Sequence, residues 1–423
     1  MRTHRIGAST CFLAFVLAAG QTFATSTLAF GQLPALQTRF HLSHQAMGTE
    51  FTLDIYASDE AEADHAANLA FDEVDRLEDL LSNYRSSSEL SRISREAGGS
   101  PVTTDPETFQ FLDRSLYWSA QSGGAFDITV GPLLRLWGFY QHGGRVPSQS
   151  ELDAVRSTIG WEKVRLSMAD RGVMFSNHRP MDLDPGSIGK GFAVDSAVRL
   201  LREVGVRSAL ISAGGSTLYA IGTPPDEAGW PVKVMDPRYP NVLATTVYLK
   251  DTSLSSGACT QKFFIKDGHR YCHIFNPQTM RPVEGVLQST VISPSATDSD
   301  ALSTVVFVLP PEASRRVLAP LHDTQVLLFR GPTAPRDCIA INWQGSPCSS
   351  EAQQQKRKQH LDQPPSIHTK RLRSCCIGLH RSLQSESRRR AIGSRSCRSR
   401  CREADSFHQR QIPISPRNYR CRQ

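Results

Sequence analysis

Apolar side chains recur along the chain with two spacings, one typical of strands and one typical of helices. Residues 50–57 alternate apolar and polar positions, which predicts a strand with one buried face. Residues 61–81 space their apolar side chains three and four positions apart, which predicts an amphipathic helix. Further strands are predicted at 209–212, 231–235, 244–249, 263–266, 270–275 and 288–293, and further helices at 86–93, 106–120, from 148, from about 189 and around 300. Strands and helices mixed in this way, without a regular βαβ repeat, predict an α+β fold.

Polar residues predict where some of these elements begin and turn. Ser86, with Glu89 three residues later, predicts a capping box for a short helix. Asp267-Gly268 predicts a hairpin turn, and His273 is expected on the second arm of that hairpin. Residues 123–143 are rich in aromatic side chains and loop formers, so they suit a flat ring with polar edges. Burial of these aromatic side chains in an ordinary core is the alternative.

The stretch 181–195, M-D-L-D-P-G-S-I-G-K-G-F-A-V-D, joins a glycine-rich loop to a predicted helix. Free backbone N–H groups and the helix dipole make such a junction favourable for anions. Three glycines let a ligand approach the backbone closely, and Lys190 supplies a positive charge suited to phosphate. The order of residues fits neither the Walker A motif nor the dinucleotide fingerprint. By itself, the stretch indicates either a phosphate site or an ordinary loop with a solvated lysine.

A second polar stretch, 295–304, precedes an apolar run and is expected to be helical. Asp300 and Thr304 are four residues apart, so a helix would present them on one face. Together with Asp298 they offer the hard oxygen ligands that Mg²⁺ prefers. The alternative is an ordinary helix start, with Thr297 as the N-cap and Asp300 favoured by the helix dipole.

Five segments in a fixed order between residues 45 and 310 carry a resemblance to one family. They are Q-A-M-G-T at 45–49, S-G-G-A-F-D-I-T-V-G-P-L at 122–133 with L-W-G-F at 136–139, the glycine-rich stretch 181–195, Y-C-H-I-F-N-P at 271–277 with R-P-V at 281–283, and T-D-S-D-A-L-S-T at 297–304. These motifs are similar to those of the ApbE family, the FAD:protein FMN transferases. We therefore expect residues 31–348 to form a single ApbE-like flavin-transferase domain of the α+β class.

The resemblance implies a particular reaction. The FMN half of FAD would be transferred to a Thr or Ser hydroxyl of an acceptor protein, with Mg²⁺ bound and AMP released. The acceptor would carry a D-x-S/T-G/A/S-A/S-T segment, and a redox subunit of a membrane is expected. Two alternatives would use the same residues. One is a Mg²⁺-dependent FAD pyrophosphatase that releases FMN and AMP, and the other is a FAD-binding protein without catalysis.

The resemblance also implies roles for single residues. His273 matches the histidine proposed as the base that takes the hydroxyl proton, a role that suits a neutral imidazole; a buried strand histidine is the alternative. Metal ligation is implied for the side chains of Asp300 and Thr304 and for the backbone carbonyl of Ser187, with Asp298 acting directly or through another ligand. The positions that match those holding FAD are Met47, Tyr84, Ala125, Phe126, Asp127, Asp184 and the phosphate-neutralising Lys190.

The chain departs from the family pattern at three places. Asn276 stands where the family often has Asp, and Ser216 stands where Asp or Asn is usual. A basic tail replaces the expected carboxyl terminus after about residue 345. The first two departures could weaken turnover or change the orientation of the ligand, but they do not affect the proposed metal ligands.

The positive charge of the chain is concentrated in that tail. The formal net charge is +7, yet residues 351–423 hold 18 Lys and Arg against 5 Asp and Glu, a net of +13, which leaves −6 for residues 1–350. The basic character therefore says nothing about the body, and no specific nucleic-acid partner is expected. Residues 349–423 show almost no apolar periodicity, which predicts a disordered extension. An arm that binds nucleic acid or anionic lipid is the alternative.

Residues 1–30 have the features of a secretory signal peptide. Two arginines precede the apolar run 11–19, which is too short to span a bilayer comfortably, and Ala24 or Ala29 could end the cleaved segment. A retained anchor is the alternative. We expect export to the periplasm or to the outer face of the inner membrane. Such a compartment permits disulfides, although the sequence does not pair its ten cysteines.

Overall fold

The structure is a computed structural model that describes residues 37–140, 143–239, 241–260, 262–331, 337–345 and 347–348. The chain separates into two compact units, Met1–Lys356 and Arg357–Gln423, and all described residues belong to the first. The predicted signal peptide at 1–30 and the predicted tail at 349–423 lie outside the described residues. Both therefore stay predictions.

Helices and strands alternate irregularly along the described part of the chain. The helices are α1 (Glu60–Leu81), α2 (Glu89–Glu96), α3 (Pro106–Gln121), α4 (Gly131–Leu136), α5 (Gln149–Val155), α6 (Gly189–Glu203), α7 (Ala296–Val308) and α8 (Pro311–Leu318). The strands are β1 (Thr38–Ala46), β2 (Thr49–Ala57), β3 (Val102–Thr103), β4 (Val164–Ser167), β5 (Gly172–Phe175), β6 (Ala209–Ala213), β7 (Thr217–Ile221), β8 (Trp230–Met235), β9 (Leu243–Leu249), β10 (Thr252–Ala258), β11 (Phe263–Lys266), β12 (His269–Cys272), β13 (Phe275–Asn276), β14 (Arg281–Pro282), β15 (Val286–Ser293), β16 (Gln325–Arg330) and β17 (Cys338–Ile341).

Eight of these strands form the central sheet, in the order β1-β2-β6-β7-β10-β15-β16-β17. Every neighbouring pair in it is antiparallel. Strand β2 shows the predicted alternation, since Phe51, Leu53 and Ile55 are buried on one face while their neighbours are more exposed. Antiparallel pairing without parallel βαβ units confirms the predicted α+β class.

The two faces of the sheet are covered by different kinds of element. Successive residues of a strand point to opposite faces, so Val291 of β15 joins the core beneath α1, α6 and α7, whereas Ile292 joins a second core. That second core is closed by the β8–β9 ribbon, whose Trp230 and Val234 are buried in it. None of the helices among the described residues has the length and apolar character needed to cross a membrane.

Helices α6 and α7 approach each other closely because a glycine stands at their contact. A Cβ added at Gly191 would lie 2.2 Å from the carbonyl oxygen of Ala296 and 2.8 Å from the Cβ of Asp300. Any side chain at position 191 would therefore push the two helices apart. The glycine of the K-G pair thus brings the amino terminus of α6 against the first turns of α7.

Two local predictions and one alternative were wrong in detail. The N-cap of α2 is Ser88 rather than Ser86, because the Ser88 hydroxyl accepts the Ser91 N–H at 3.1 Å. The N-cap of α7 is Ser295 rather than Thr297, whose hydroxyl and N–H are both bonded elsewhere. His273 follows β12 instead of lying within a strand, since the ladder of the hairpin ends at Cys272.

Candidate functional site

The amino terminus of α7 is held by Asp195, a residue of α6. Its carboxylate accepts four hydrogen bonds, from the Ser295 hydroxyl at 2.7 Å, the Ala296 N–H at 2.8 Å, the Thr297 N–H at 2.8 Å and the Thr297 hydroxyl at 2.6 Å. These bonds satisfy amides that a helix start leaves unpaired, and the helix dipole favours the negative charge there. The sequence alone gave Asp195 no role, because its partners are about 100 residues away.

Asp300 of α7 reaches back to the amino terminus of α6. Its Oδ2 accepts the Gly191 N–H at 3.0 Å and lies 3.8 Å from the Lys190 ammonium. No side chain of α6 caps that helix, so Asp300 performs the capping role from outside. No hydrogen bond within the described part of the chain uses the other carboxylate oxygen, Oδ1, although Asp300 is only 6% exposed.

This arrangement leaves oxygen atoms available around the α6–α7 junction, where the amino terminus of α6 meets the first turns of α7. A helical N–H ordinarily donates to the carbonyl four residues earlier, but Gly191 donates to Asp300, and no described amide donates to the Ser187 carbonyl. Thr304 lies one turn beyond Asp300 on the same face of α7, and its hydroxyl makes no hydrogen bond with any described residue. A carboxylate, a hydroxyl and a carbonyl thus lie around one junction.

These three oxygen groups are suitable ligands for Mg²⁺. Magnesium prefers oxygen ligands, commonly keeps several waters, and needs only one or two carboxylates when substrate phosphates complete its shell. The described residues contain no cluster of three or more His, Cys, Asp or Glu side chains suited to a metal. The predicted ligands Asp300, Thr304 and Ser187 are therefore brought to the same region with suitable chemistry.

Asp298 lies on another side of α7. Its carboxylate accepts hydrogen bonds from the Arg114 guanidinium at 2.7 and 2.5 Å and from the Trp118 indole N–H at 2.8 Å, all from α3. Residues two apart on a helix are separated by about 200°, so Asp298 and Asp300 face different neighbours. The contacts of Asp298 connect α7 to α3, so Asp298 is not among the proposed metal ligands.

Asp184 is buried at the start of the glycine-rich loop and is surrounded by donors. Its carboxylate accepts hydrogen bonds from Asn83 at 3.1 Å, from the Gly186 N–H at 2.6 Å and from the Tyr140 hydroxyl. Burial raises the pKa of Asp184 above its usual value, and the hydrogen bonds oppose that shift. Tyr84 packs against Tyr140 edge to face with ring centroids 5.5 Å apart, and it is 74% exposed. The Tyr84 ring therefore offers a free face to a planar ligand.

Asn83 and Tyr84 also border an open cavity of about 670 Å³. None of the oxygen donors of the α6–α7 junction lines this cavity. The cavity therefore adjoins the network around Asp184 without including the junction itself. Its positively charged lining residues are Arg95, Arg135 and Arg145.

The predicted residues at 125–127 lie in the loop between α3 and α4. The Ala125 and Phe126 side chains are buried, so contact with a ligand from these two positions would use their backbone. The Asp127 carboxylate accepts the Thr129 N–H at 2.8 Å and the Trp161 N–H at 3.1 Å. Burial raises the pKa of Asp127, and these hydrogen bonds act against it. Asp127 therefore shapes this loop.

Met47 lies in the turn between β1 and β2, at one end of the central sheet strands. Its φ of 50° is left-handed, and its N–H donates to the Glu78 carboxylate of α1 at 2.8 Å. The sequence predicted Met47 from its motif alone. The structure gives the turn a defined conformation through its bond to α1.

His273 has one ring nitrogen engaged, and the other makes no hydrogen bond with any described residue. Its Nδ1 lies 3.0 Å from the Lys262 carbonyl oxygen, which can only accept, so Nδ1 carries the proton and Nε2 is left as an acceptor. Burial lowers the pKa of His273 to about 4, and the positive charges of Lys262 and Lys190 act in the same direction. The imidazole is therefore neutral at neutral pH and senses the charge of the lysine in the glycine-rich loop.

An α+β protein that collects a glycine-rich loop, a lysine and helix-borne oxygen donors at one junction is suited to binding a phosphorylated ligand together with a divalent cation. Comparison with known proteins then defines its relatives. The ApbE family model matches residues 47–328. The chain belongs to the ApbE family, as its motifs predicted.

Relatives of known sequence and structure agree with this assignment. A FAD:protein FMN transferase of Escherichia coli K12 is 30% identical over 282 residues, covering 66% of this chain and 80% of that protein. A FAD:protein FMN transferase of Treponema pallidum is 31% identical over 287 residues, covering 64% of this chain and 79% of that protein. The crystal structure of an ApbE protein from Thermotoga maritima superposes with a TM-score of 0.63 at 28% identity, covering 69% and 94%. The predicted ApbE-like α+β fold is confirmed.

Replacing Asp195 by Ala should lower the free energy of unfolding by about 2–4 kcal/mol, because four donors at the start of α7 lose their acceptor. Urea denaturation measures this change. Asp170→Ala is the matched control, since Asp170 is exposed and accepts hydrogen bonds from near neighbours in sequence, the Ser167 side chain and the Gly172 N–H. Equal stability of the Asp195→Ala variant and the unaltered protein would show that this carboxylate does not hold the helix.

Proposed function

We propose that this protein transfers the FMN moiety of FAD to a Thr or Ser hydroxyl of an acceptor protein, in a Mg²⁺-dependent reaction that releases AMP. Membership of the ApbE family and the names of its relatives support flavin transfer from FAD to a protein. The observation that carries the finer proposal is the α6–α7 junction. There, Asp300 caps α6 through Oδ2, which also lies 3.8 Å from the Lys190 ammonium, and its Oδ1 makes no hydrogen bond with any described residue.

The junction would bind the pyrophosphate of FAD. Mg²⁺ bound there would neutralise charge on the phosphate oxygens and on the departing AMP. Asp300, Thr304 and the Ser187 carbonyl would hold the ion. Lys190 would add a second positive charge to the same phosphates. Phosphoryl transfer depends mainly on positioning and charge neutralisation, which these residues can supply.

His273 would take the proton of the incoming hydroxyl. The hydroxyl oxygen bonds to the phosphorus of the FMN phosphate, the bond from that phosphorus to the bridging oxygen breaks, and AMP leaves with that oxygen. The hydroxyl proton passes to Nε2, the unprotonated nitrogen. The Lys262 carbonyl fixes the tautomer through Nδ1, so the ring presents the correct nitrogen without rearranging.

The flavin ring would lie against Tyr84. The exposed ring of Tyr84 packs edge to face against Tyr140, whose hydroxyl donates a hydrogen bond to Asp184. Aromatic stacking of this kind contributes about 0.5–1.5 kcal/mol beyond area burial. The neighbouring Asn83 and Gly186 complete the network that fixes Asp184. Two of the expected flavin-holding positions, Tyr84 and Asp184, are thus joined through Tyr140.

We also propose export, to the periplasm or the outer face of the inner membrane, where a redox subunit with a D-x-S/T-G/A/S-A/S-T segment would be the acceptor. The features of residues 1–30 support this. Two disulfides, Cys259–Cys272 and Cys338–Cys348, provide further support, because disulfides are typical of oxidising compartments.

Incubation of the purified protein with FAD and Mg²⁺, with and without an acceptor that carries the D-x-S/T-G/A/S-A/S-T segment, tests the proposed function. We expect flavin to become covalently attached to the acceptor, with one AMP released for each flavin attached. Free FMN and AMP without an acceptor adduct would instead identify a FAD pyrophosphatase. Unchanged bound FAD would identify a flavin-binding protein without catalysis.

Asp300→Asn should abolish transfer, because the amide can still accept the Gly191 N–H but carries no charge for the metal. Thr304→Val removes a neutral ligand of similar shape, so its loss should be partial and should be rescued by excess Mg²⁺. The measurement is the transfer rate as a function of Mg²⁺ concentration. Asp298→Asn is the control: it should lower the melting temperature and leave the Mg²⁺ requirement unchanged. An Asp300→Asn variant with full Mg²⁺-dependent activity would exclude the proposed metal site.

His273→Ala should lower the transfer rate by about 10²–10⁴, the usual contribution of a general base, and should still bind FAD. The neutral form that accepts the proton predominates above the pKa, which is about 4. The rate of the unaltered protein should therefore stay level from about pH 8 to about pH 5.5, where an ordinary histidine would lose roughly tenfold. A pH–rate profile measures this difference.

His269→Ala is the matched control for that experiment. His269 belongs to the same hairpin, but its side chain is exposed and pairs with Glu284. Its replacement should leave the rate unchanged. A rate that falls with a midpoint near pH 6.5 in the unaltered protein, or equal rates with and without His273, would contradict the assignment of the base.

A further inference from the structure

The disulfide Cys259–Cys272 lies immediately before His273. Its two cysteines are 13 residues apart in sequence, and both are buried. The Cys272 sulfur is 4.0 Å from Nδ1 of His273. The covalent link is thus made one residue before the imidazole proposed as the base.

The disulfide connects two different sheets of the fold. Cys259 directly follows β10, a strand inside the central sheet, and its N–H donates to the Leu287 carbonyl at 3.1 Å. Cys272 ends the β11–β12 hairpin, which forms a separate two-stranded sheet. The bond therefore anchors the end of a small hairpin to the main sheet.

The same disulfide packs against the helix that carries the proposed metal ligands. Cys259, Cys272, Ile274 and Phe307 form one buried cluster. Phe307 belongs to α7, and Ile274 follows His273 directly. His273 is therefore flanked in sequence by two residues that are buried against α7. Displacing this cluster would change the distance between the imidazole and the α6–α7 junction.

We propose that the Cys259–Cys272 disulfide is a positioning element for His273, holding its imidazole at a fixed place relative to the metal ligands of α7. The proposal rests on the proposed role of His273 in flavin transfer. Loss of the bond would leave the chemistry of each residue intact but let the hairpin end move. Misplacing a reacting group by about 1 Å can cost on the order of 10²-fold in rate.

The test compares Cys259→Ser/Cys272→Ser with Cys338→Ser/Cys348→Ser. The second pair is a matched control, because Cys338–Cys348 ties down β17 at the edge of the central sheet and packs in the other core. We expect the first variant to lose about 10- to 100-fold in kcat with little change in KM for FAD. The control should lose stability but keep its kcat. If the first variant fails to fold, phosphine reduction of the Cys338→Ser/Cys348→Ser protein should reproduce the loss, because Cys259–Cys272 is then the disulfide left among the described residues.

A double-mutant cycle separates positioning from general stability. Removing the Cys259–Cys272 bond in a His273→Ala background should cause almost no further loss of kcat, because the bond acts through the imidazole. Additive losses, or an equal loss in the Cys338–Cys348 control, would overturn the proposal. If His273→Ala alone has no effect, the proposed base is wrong, and that outcome is distinct from an active base that does not respond to the disulfide.

Discussion

Two carboxylates link helices α6 and α7, one from each helix, and the geometry of the candidate site depends on both. Asp195 of α6 binds the amino terminus of α7, and Asp300 of α7 binds the amino terminus of α6. Each helix thus supplies a carboxylate that accepts amides at the start of the other, alongside the Ser295 N-cap of α7. Glycine at position 191 permits the close approach of the two helices. Because the caps are reciprocal, the two helix starts cannot shift independently, which fixes Thr304 and the Ser187 carbonyl as well.

This constraint also changes how a phosphate can be bound. The free amides at a helix start ordinarily attract an anion, but in α6 a carboxylate already accepts the Gly191 N–H. A phosphate approaching this end would meet the negative charge of Asp300. Under the proposed function, positive charge from Lys190 and from a cation held by the same carboxylate would offset that repulsion. The way in which α6 is capped is thus consistent with the proposed metal dependence.

The sequence predicted what local patterns determine. Alternation located β2, and helical spacing located α1 and α6 nearly to the residue. Strand β1 was missed because it lies at the sheet edge and is largely exposed, so its pattern is weak. The motif pointed to Asp300, yet it could not distinguish Asp298, whose partners Arg114 and Trp118 lie more than 170 residues away. Contacts between distant segments, including the cap from Asp195 and the disulfide pairing, leave no local signal.

If His273 is the proton acceptor, as proposed, its environment balances two requirements of that role. Burial lowers its pKa to about 4, so the imidazole is neutral, and able to accept a proton, at every pH at which the protein is expected to work. The same shift weakens it as a base, which makes proton transfer from a hydroxyl less favourable. Orientation must then compensate for basicity. The Lys262 carbonyl and, as proposed, the neighbouring disulfide hold the ring in place. The hairpin would thus compensate, through the position of the ring, for the low proton affinity of the nitrogen.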